Sequence, residues 1–208
     1  MIAENHISIN KTARYYTLGQ LTENTKNVWL VIHGFGQNAA GFLNAFMPLA
    51  NADSFFVAPE ALNRYYLNGY AGKVGATWMT KEDRLNEIKD YINYLDTLYK
   101  SFAIPKAAKV TALGFSQGAS TLTRWLNTTA CHIDRAIVYA GEVAPDILPL
   151  AETSGLKRTK NYFICGTADE IFTPETVSKM KENYAALNFT ELSFDGRHEI
   201  NPAVLNNL

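Results

Sequence analysis

The chain has 208 residues, 47% of them hydrophobic and 19% charged, with a formal net charge of −1, which suits one soluble domain with a sizeable core. The balanced charge gives no reason to expect nucleic acid or an anionic membrane as partner. No apolar run reaches transmembrane length, Met1-Ile-Ala-Glu-Asn-His6 lacks a basic and an apolar signal region, and two cysteines are no disulfide scaffold, so Cys131 and Cys165 are expected as reduced thiols in a cytoplasmic protein, with the mature form of an exported chain as the weaker alternative.

In chain order, Ile7-Ser-Ile9 alternates and Ala13–Leu18 is rich in β-formers, which predicts a first antiparallel pair of strands. Val28–Ile32 is a continuous apolar run, the mark of a strand covered on both faces. A glycine-rich loop, His33-Gly-Phe-Gly-Gln-Asn38, leads into a predicted helix over 39–50 and a strand over 54–58. Glu60–Thr80, with glycines at 69, 72 and 75, reads as a long functional loop. Leu85, Ile88, Ile92, Leu95 and Leu98, spaced by three and four, predict an amphipathic helix over 81–101. Val110–Leu113, Ala136–Ala140 and Tyr162–Cys165 read as further buried strands, with a helix over 119–126 after the first of them. A helix over 174–187, a strand over 190–194, a loop and a short terminal helix complete the chain. Strands alternating with helices predict a mostly parallel sheet with helices on both faces. In such sheets active groups collect at the strands' C-terminal ends.

Gly114-Phe-Ser-Gln-Gly118 sits between the strand and helix that a G-x-S-x-G nucleophile elbow requires. Glycines on either side let strand and helix close on the turn, and Ser116 stands at its tip beside a helix N-terminus suited to a developing oxyanion. An incidental serine in a glycine-bounded turn is the plainer alternative. A serine hydroxyl needs a base, and the base needs an acid to hold its tautomer. Of the histidines after Ser116, His132 approaches a strand from the wrong edge, whereas His198 follows the last strand on the right one. Asp169, Asp146 and Asp195 are candidates for the acid, and each could instead be a local turn residue. Asp169 is preferred because its loop is short and glycine-led. The N–H groups of Gln117 and Phe35 are the expected oxyanion hole. His33 is expected to be structural.

These blocks, together with Trp78-Met-Thr-Lys-Glu-Asp-Arg84, resemble the phospholipase/carboxylesterase branch of the α/β-hydrolases. That branch includes acyl-protein thioesterases and small bacterial carboxylesterases. The resemblance spans roughly 28–200. It implies an α/β-hydrolase fold over 1–208 with little or no lid domain, a Ser116–His198–Asp169 triad, and no cofactor. No metal is expected either, since the sequence lacks a His-x-x-x-His pair or a cysteine cluster with ligand spacing. The chain departs from the thioesterase pattern at Gln37, at Met79-Thr80, in the spacing of Pro174 from the acid and at Arg197. These departures favour a small ester over a lipidated protein.

The expected activity is therefore hydrolysis of small carboxylic esters through an acyl-enzyme. Lysophospholipase or thioesterase action, on a small-molecule thioester for instance, is the alternative within the class. A non-catalytic hydrolase-fold binding module is the alternative outside it. Tyr65, Tyr66, Trp78, Met79 and Phe172 are expected pocket residues, with core or surface packing as the competing role. A homodimer is left open.

Overall fold

The computed structural model describes every residue except Ala185, Ala186 and Asn207, and only the backbone of 181–183. The strands are β1 (Tyr15–Leu18), β2 (Asn27–Ile32), β3 (Ser54–Pro59), β4 (Asn63–Tyr66), β5 (Val74–Thr77), β6 (Lys109–Phe115), β7 (Arg135–Tyr139), β8 (Lys160–Gly166) and β9 (Thr190–Phe194). The helices are α1 (Ala39–Leu43), α2 (Arg84–Lys100), α3 (Gln117–Thr128), α4 (Pro174–Tyr184) and α5 (Pro202–Leu205). Seven strands form one sheet in the order β1-β3-β2-β6-β7-β8-β9, parallel except for β1, which pairs antiparallel with β3.

The central strands are buried on both faces, as their unbroken apolar runs require. One face carries an aromatic layer, with Phe42 and Phe46 meeting Phe115 and Phe56, and Tyr139 meeting Phe115 and Phe194. Segments α1 and α5 lie on this face. Helices α2 and α3 pack together on the other face.

ㅤThe side chains that fill this second core are Tyr91, Leu95 and Leu98 of α2 and Leu122, Trp125 and Leu126 of α3, all buried.

Chain direction reverses between β2 and β6, since the chain runs outward from β2 to β3 on one side and from β6 to β9 on the other. Such a switch point opens a crevice outside the carboxyl ends of its two strands. The 33–38 loop and Ser116 follow those ends, and the register pairs Ile32 with Gly114.

Four local expectations are corrected. Ile7 and Ile9 form no strand and are 88% and 79% exposed, because β1 pairs with β3 and the early segment has no apolar surface to cover. The helix expected over 39–50 is α-helical only to Leu43 and continues as a 3-10 segment containing Pro48, which lacks the N–H that an α-helix interior uses. The helix expected from 81 begins at Arg84, after Asp83 at φ 47°, and leaves Leu85 exposed. The segment expected as a loop over 60–80 contains an antiparallel hairpin, β4–β5. The expected extension of α4 through 185–186 lies outside the described residues.

Candidate active site

Ser116 lies between the end of β6 and the start of α3 with φ 53° and ψ −120°, a conformation an L-residue rarely adopts. Such strain costs on the order of 1–3 kcal/mol and needs surrounding structure to hold it. Here the Ser116 N–H donates to the Tyr139 carbonyl at 2.9 Å, and the Ser116 carbonyl accepts from Ala119 N–H at 2.9 Å. A Cβ on Gly118 would collide with the Ile32 carbonyl, so only glycine lets α3 sit this close to β2.

The loops after β8 and β9 are laced together. Thr167 N–H donates to the Phe194 carbonyl and Ala168 N–H to the Gly196 carbonyl, both at 2.9 Å. This brings Asp169 to His198, whose Nδ1 lies 2.8 Å from Asp169 Oδ2. A carboxylate can only accept, so Nδ1 carries the proton and Nε2 is left as the basic nitrogen. Asp169 Oδ1 accepts from the Ile171 and Phe172 N–H groups, each at 2.8 Å. Burial alone would raise the Asp169 pKa, but the Phe172 N–H, His198 and the Ile171 N–H outweigh it and hold the carboxyl below its usual value. The His198 ring meets Phe115 at 4.8 Å and stacks against Phe172 at 6.0 Å, which sets it beside the residue preceding Ser116. Among the described residues the Ser116 hydroxyl makes no hydrogen bond. Catalytic hydrogen bonds are often long before substrate binds.

The 33–37 loop commits most of its N–H groups. Gly34 N–H donates to Gln37 Oε1 at 2.7 Å, Gly36 N–H to the Ala76 carbonyl at 2.9 Å and Gln37 N–H to the Gly34 carbonyl at 3.3 Å. The Phe35 N–H is left unpaired among the described residues. The Gln117 N–H, first in α3, likewise has no partner within its helix. His33 is fully buried. Its Nδ1 lies 2.8 Å from the Gly34 carbonyl and its Nε2 accepts from Ala61 N–H at 3.1 Å, and burial lowers its pKa. Both nitrogens are occupied, which makes His33 a brace for the loop.

The other sequence candidates separate. Trp78, expected in the pocket, is 1% exposed and packs between His33 and Tyr91. Its indole N–H donates to the His33 carbonyl at 2.8 Å, so it is a core residue under the loop. Tyr65 is half-buried with its ring against Phe35, and Tyr66 is 49% exposed on the same hairpin. Met79 is half-buried, and its carbonyl accepts from Gln117 Nε2 at 2.9 Å. Phe172 lies against His198. Asp146 pairs with Arg124 at 2.7 Å and Arg84 at 2.9 Å, and Asp195 is exposed, so neither is bonded to His198. His132 is exposed and pairs with Asp134 before β7, at the opposite edge.

The sequence reading missed the side chains of Gln37, Gln117 and Cys165. The Cys165 thiol contacts Asp169 Oδ2 at 3.7 Å, and burial pushes its pKa up to about 12, so it stays protonated. The departure at Gln37 was visible, but the partner of its side chain was not. A cavity of about 360 Å³ lies between α4, β7 and β8, lined by Val138, Phe163 and Met180 among others, and Ser116 is not on its wall. Glu4, His6 and Asp83 bring potential metal-ligand atoms within 4.8 Å of one another among the described residues, but all three are exposed and none is bonded to Ser116, Asp169 or His198.

The chain has the α/β-hydrolase fold. It superposes on the crystal structure of a carboxylesterase from Mesorhizobium loti with a TM-score of 0.71 at 16% identity, covering 94% of this chain and 93% of that one. Acyl-protein thioesterase 2 from Zea mays gives 0.70 at 16% identity, over 94% and 96%. A carboxylesterase from Bacillus cereus gives 0.67 at 17% identity, over 95% and 92%. No protein-family model matches the chain, and no curated protein matches it.

Proposed function

We propose that the protein is a serine carboxylesterase of the phospholipase/carboxylesterase kind, acting as a single cytoplasmic domain on small carboxylic esters. The observation that carries this reading is the 2.8 Å contact between His198 Nδ1 and Asp169 Oδ2, beside a serine held in a strained turn. The fold shared with carboxylesterases and an acyl-protein thioesterase supports it.

In the proposed reaction, Ser116 Oγ attacks the ester carbonyl carbon while His198 Nε2 takes the hydroxyl proton. The carbonyl oxygen becomes an oxyanion, bound by the Phe35 and Gln117 N–H groups. One such donor is typically worth about 2.7–4 kcal/mol in the transition state. Collapse breaks the bond to the alcohol oxygen, which receives the proton from His198. Water, deprotonated by His198, then attacks the acyl-enzyme, and the acid leaves as Ser116 regains its proton. Asp169 holds the imidazole tautomer and stabilises the imidazolium. Each step uses groups of this chain alone, so the proposal includes no cofactor or metal.

A fluorophosphonate probe followed by intact-mass measurement tests the reading. One adduct is expected on the wild-type protein and none on Ser116→Ala. Aryl-ester turnover of Ser116→Ala should fall to a residue on the order of 10³–10⁴ over water. Turnover near the wild-type rate in that variant would remove the serine mechanism. A graded panel of aryl esters and thioesters separates esterase from thioesterase action.

A further inference from the structure

The side chain of Gln117 does not face solvent as a free amide. It is bonded to the segment that leaves β5. Its Oε1 accepts from the Trp78 N–H at 3.1 Å, and its Nε2 donates to the Met79 carbonyl at 2.9 Å and to the Thr77 hydroxyl at 3.1 Å. The Thr77 hydroxyl in turn donates to the Met79 carbonyl at 2.9 Å. A backbone N–H must donate and a carbonyl must accept, so these partners fix which end of the amide is oxygen.

The same strand is tied to the loop that carries Phe35. Gly36 N–H donates to the Ala76 carbonyl and Ala76 N–H to the Gln37 carbonyl, both at 2.9 Å. Beneath them Trp78 Nε1 donates to the His33 carbonyl at 2.8 Å. The bonds form one continuous path. It runs from the Gln117 backbone through its own side chain to 77–79, along β5 to Ala76, across to Gly36 and Gln37, and on to Phe35. The two N–H groups aimed at the oxyanion belong to different elements, and this path is a bonded link between them.

We propose that the Gln117 side chain is a positioning residue that sets the separation of the Phe35 and Gln117 N–H donors by clamping residues 77–79. This rests on the serine-esterase reading above and assigns the side chain a role apart from its backbone. Loss of the clamp leaves both N–H groups present but lets one drift relative to the other. A misplacement of about 1 Å can cost on the order of 10²-fold in rate. The oxyanion exists only after attack on the carbonyl, so the loss falls on kcat and leaves KM nearly unchanged.

The test measures kcat, KM and fluorophosphonate labelling rate for wild type, Gln117→Ala and Thr77→Val, with urea unfolding of each as a control. Gln117→Ala removes the whole clamp and keeps the backbone donor. Thr77→Val removes one hydroxyl link without touching α3, and serves if Gln117→Ala does not fold. The expected result is a kcat lower by about 10- to 100-fold in Gln117→Ala, with KM within about twofold and labelling slowed in parallel. Thr77→Val should move in the same direction by less. A Gln117→Ala kcat within about twofold of wild type, or a raised KM with kcat intact, overturns the clamp. If Ser116→Ala is inactive in the same assay, the esterase reading survives that result. If Ser116→Ala turns over normally, both fall.

Discussion

Asp169 collects donors on both oxygens, and their arrangement decides what an amide would do in its place. The Ile171 and Phe172 N–H groups both point at Oδ1, so Asn at 169 would place its carbonyl there. Its NH₂ would then face His198 Nδ1, which now lies 2.8 Å from Oδ2. That turns the imidazole to the tautomer with its proton on Nε2, where the serine proton must go. Asp169→Asn should therefore lower kcat on the order of 10⁴-fold, by analogy with the protease triad, while the fold persists. Steady-state kinetics on a variant with unchanged circular dichroism checks this, and near-normal turnover would contradict it. Chain order and sheet edge singled out Ser116, Asp169 and His198 as candidates in the sequence. They could not separate Asp169 from Asp146, because the partner of Asp146 is Arg124, a helix residue that no loop motif marks.

At the scale of elements, that ion pair ties α3 to the segment after β7 and, through Arg84, to the start of α2. The Arg124 side chain is 7% exposed and that of Asp146 is 35% exposed. The hydrogen bond from Arg124 comes first among the causes that pull the Asp146 pKa from 3.8 to about 2, with the nearby Arg84 charge adding to it. A carboxylate with a depressed folded-state pKa stabilises the fold above its unfolded value, and that contribution is lost as pH falls through the folded value. Asp146→Asn should cost between the roughly 1 kcal/mol of an exposed pair and the 3–5 kcal/mol of a buried one. The gap in urea midpoint between wild type and variant should be full at neutral pH and shrink between about pH 4 and pH 2. A gap independent of pH would contradict it. Esterase turnover at neutral pH should survive in this variant, unlike Asp169→Asn. The β4–β5 hairpin was the element least legible in sequence. Its strands are four residues each, and β4 alternates half-buried with exposed positions, so three nearby glycines dominated the pattern. Trp78 follows β5 directly, and the pattern over a strand of four residues left its pocket and core roles equally open in sequence.

For the whole molecule, the parallel sheet was legible because strands buried on both faces must be apolar throughout, as Val28–Ile32 and Ala136–Tyr139 are. Alternation at the chain start was a weaker guide, since Ile7 and Ile9 alternate yet form no strand. Residues 1–10 are all exposed and form neither helix nor strand. Their contact with Asp83, the residue before α2, is the exposed His6–Asp83 pair at 3.2 Å. An exposed pair is worth about 0–1 kcal/mol, and a chain of this size loses about 2–4 °C in Tm per kcal/mol. Deleting 1–10 should therefore lower Tm by no more than about 4 °C and leave kcat/KM unchanged. The deletion also removes Glu4 and His6, two of the three groups whose ligand atoms converge with Asp83. The proposed chemistry has no use for an ion there, because two backbone N–H groups polarise the ester carbonyl. EDTA dialysis should leave both full-length and shortened proteins active. If chelation abolished activity in the full-length protein and zinc restored it, the metal-free mechanism would be wrong. If zinc then failed to restore the shortened protein, the ion would be placed at Glu4, His6 and Asp83.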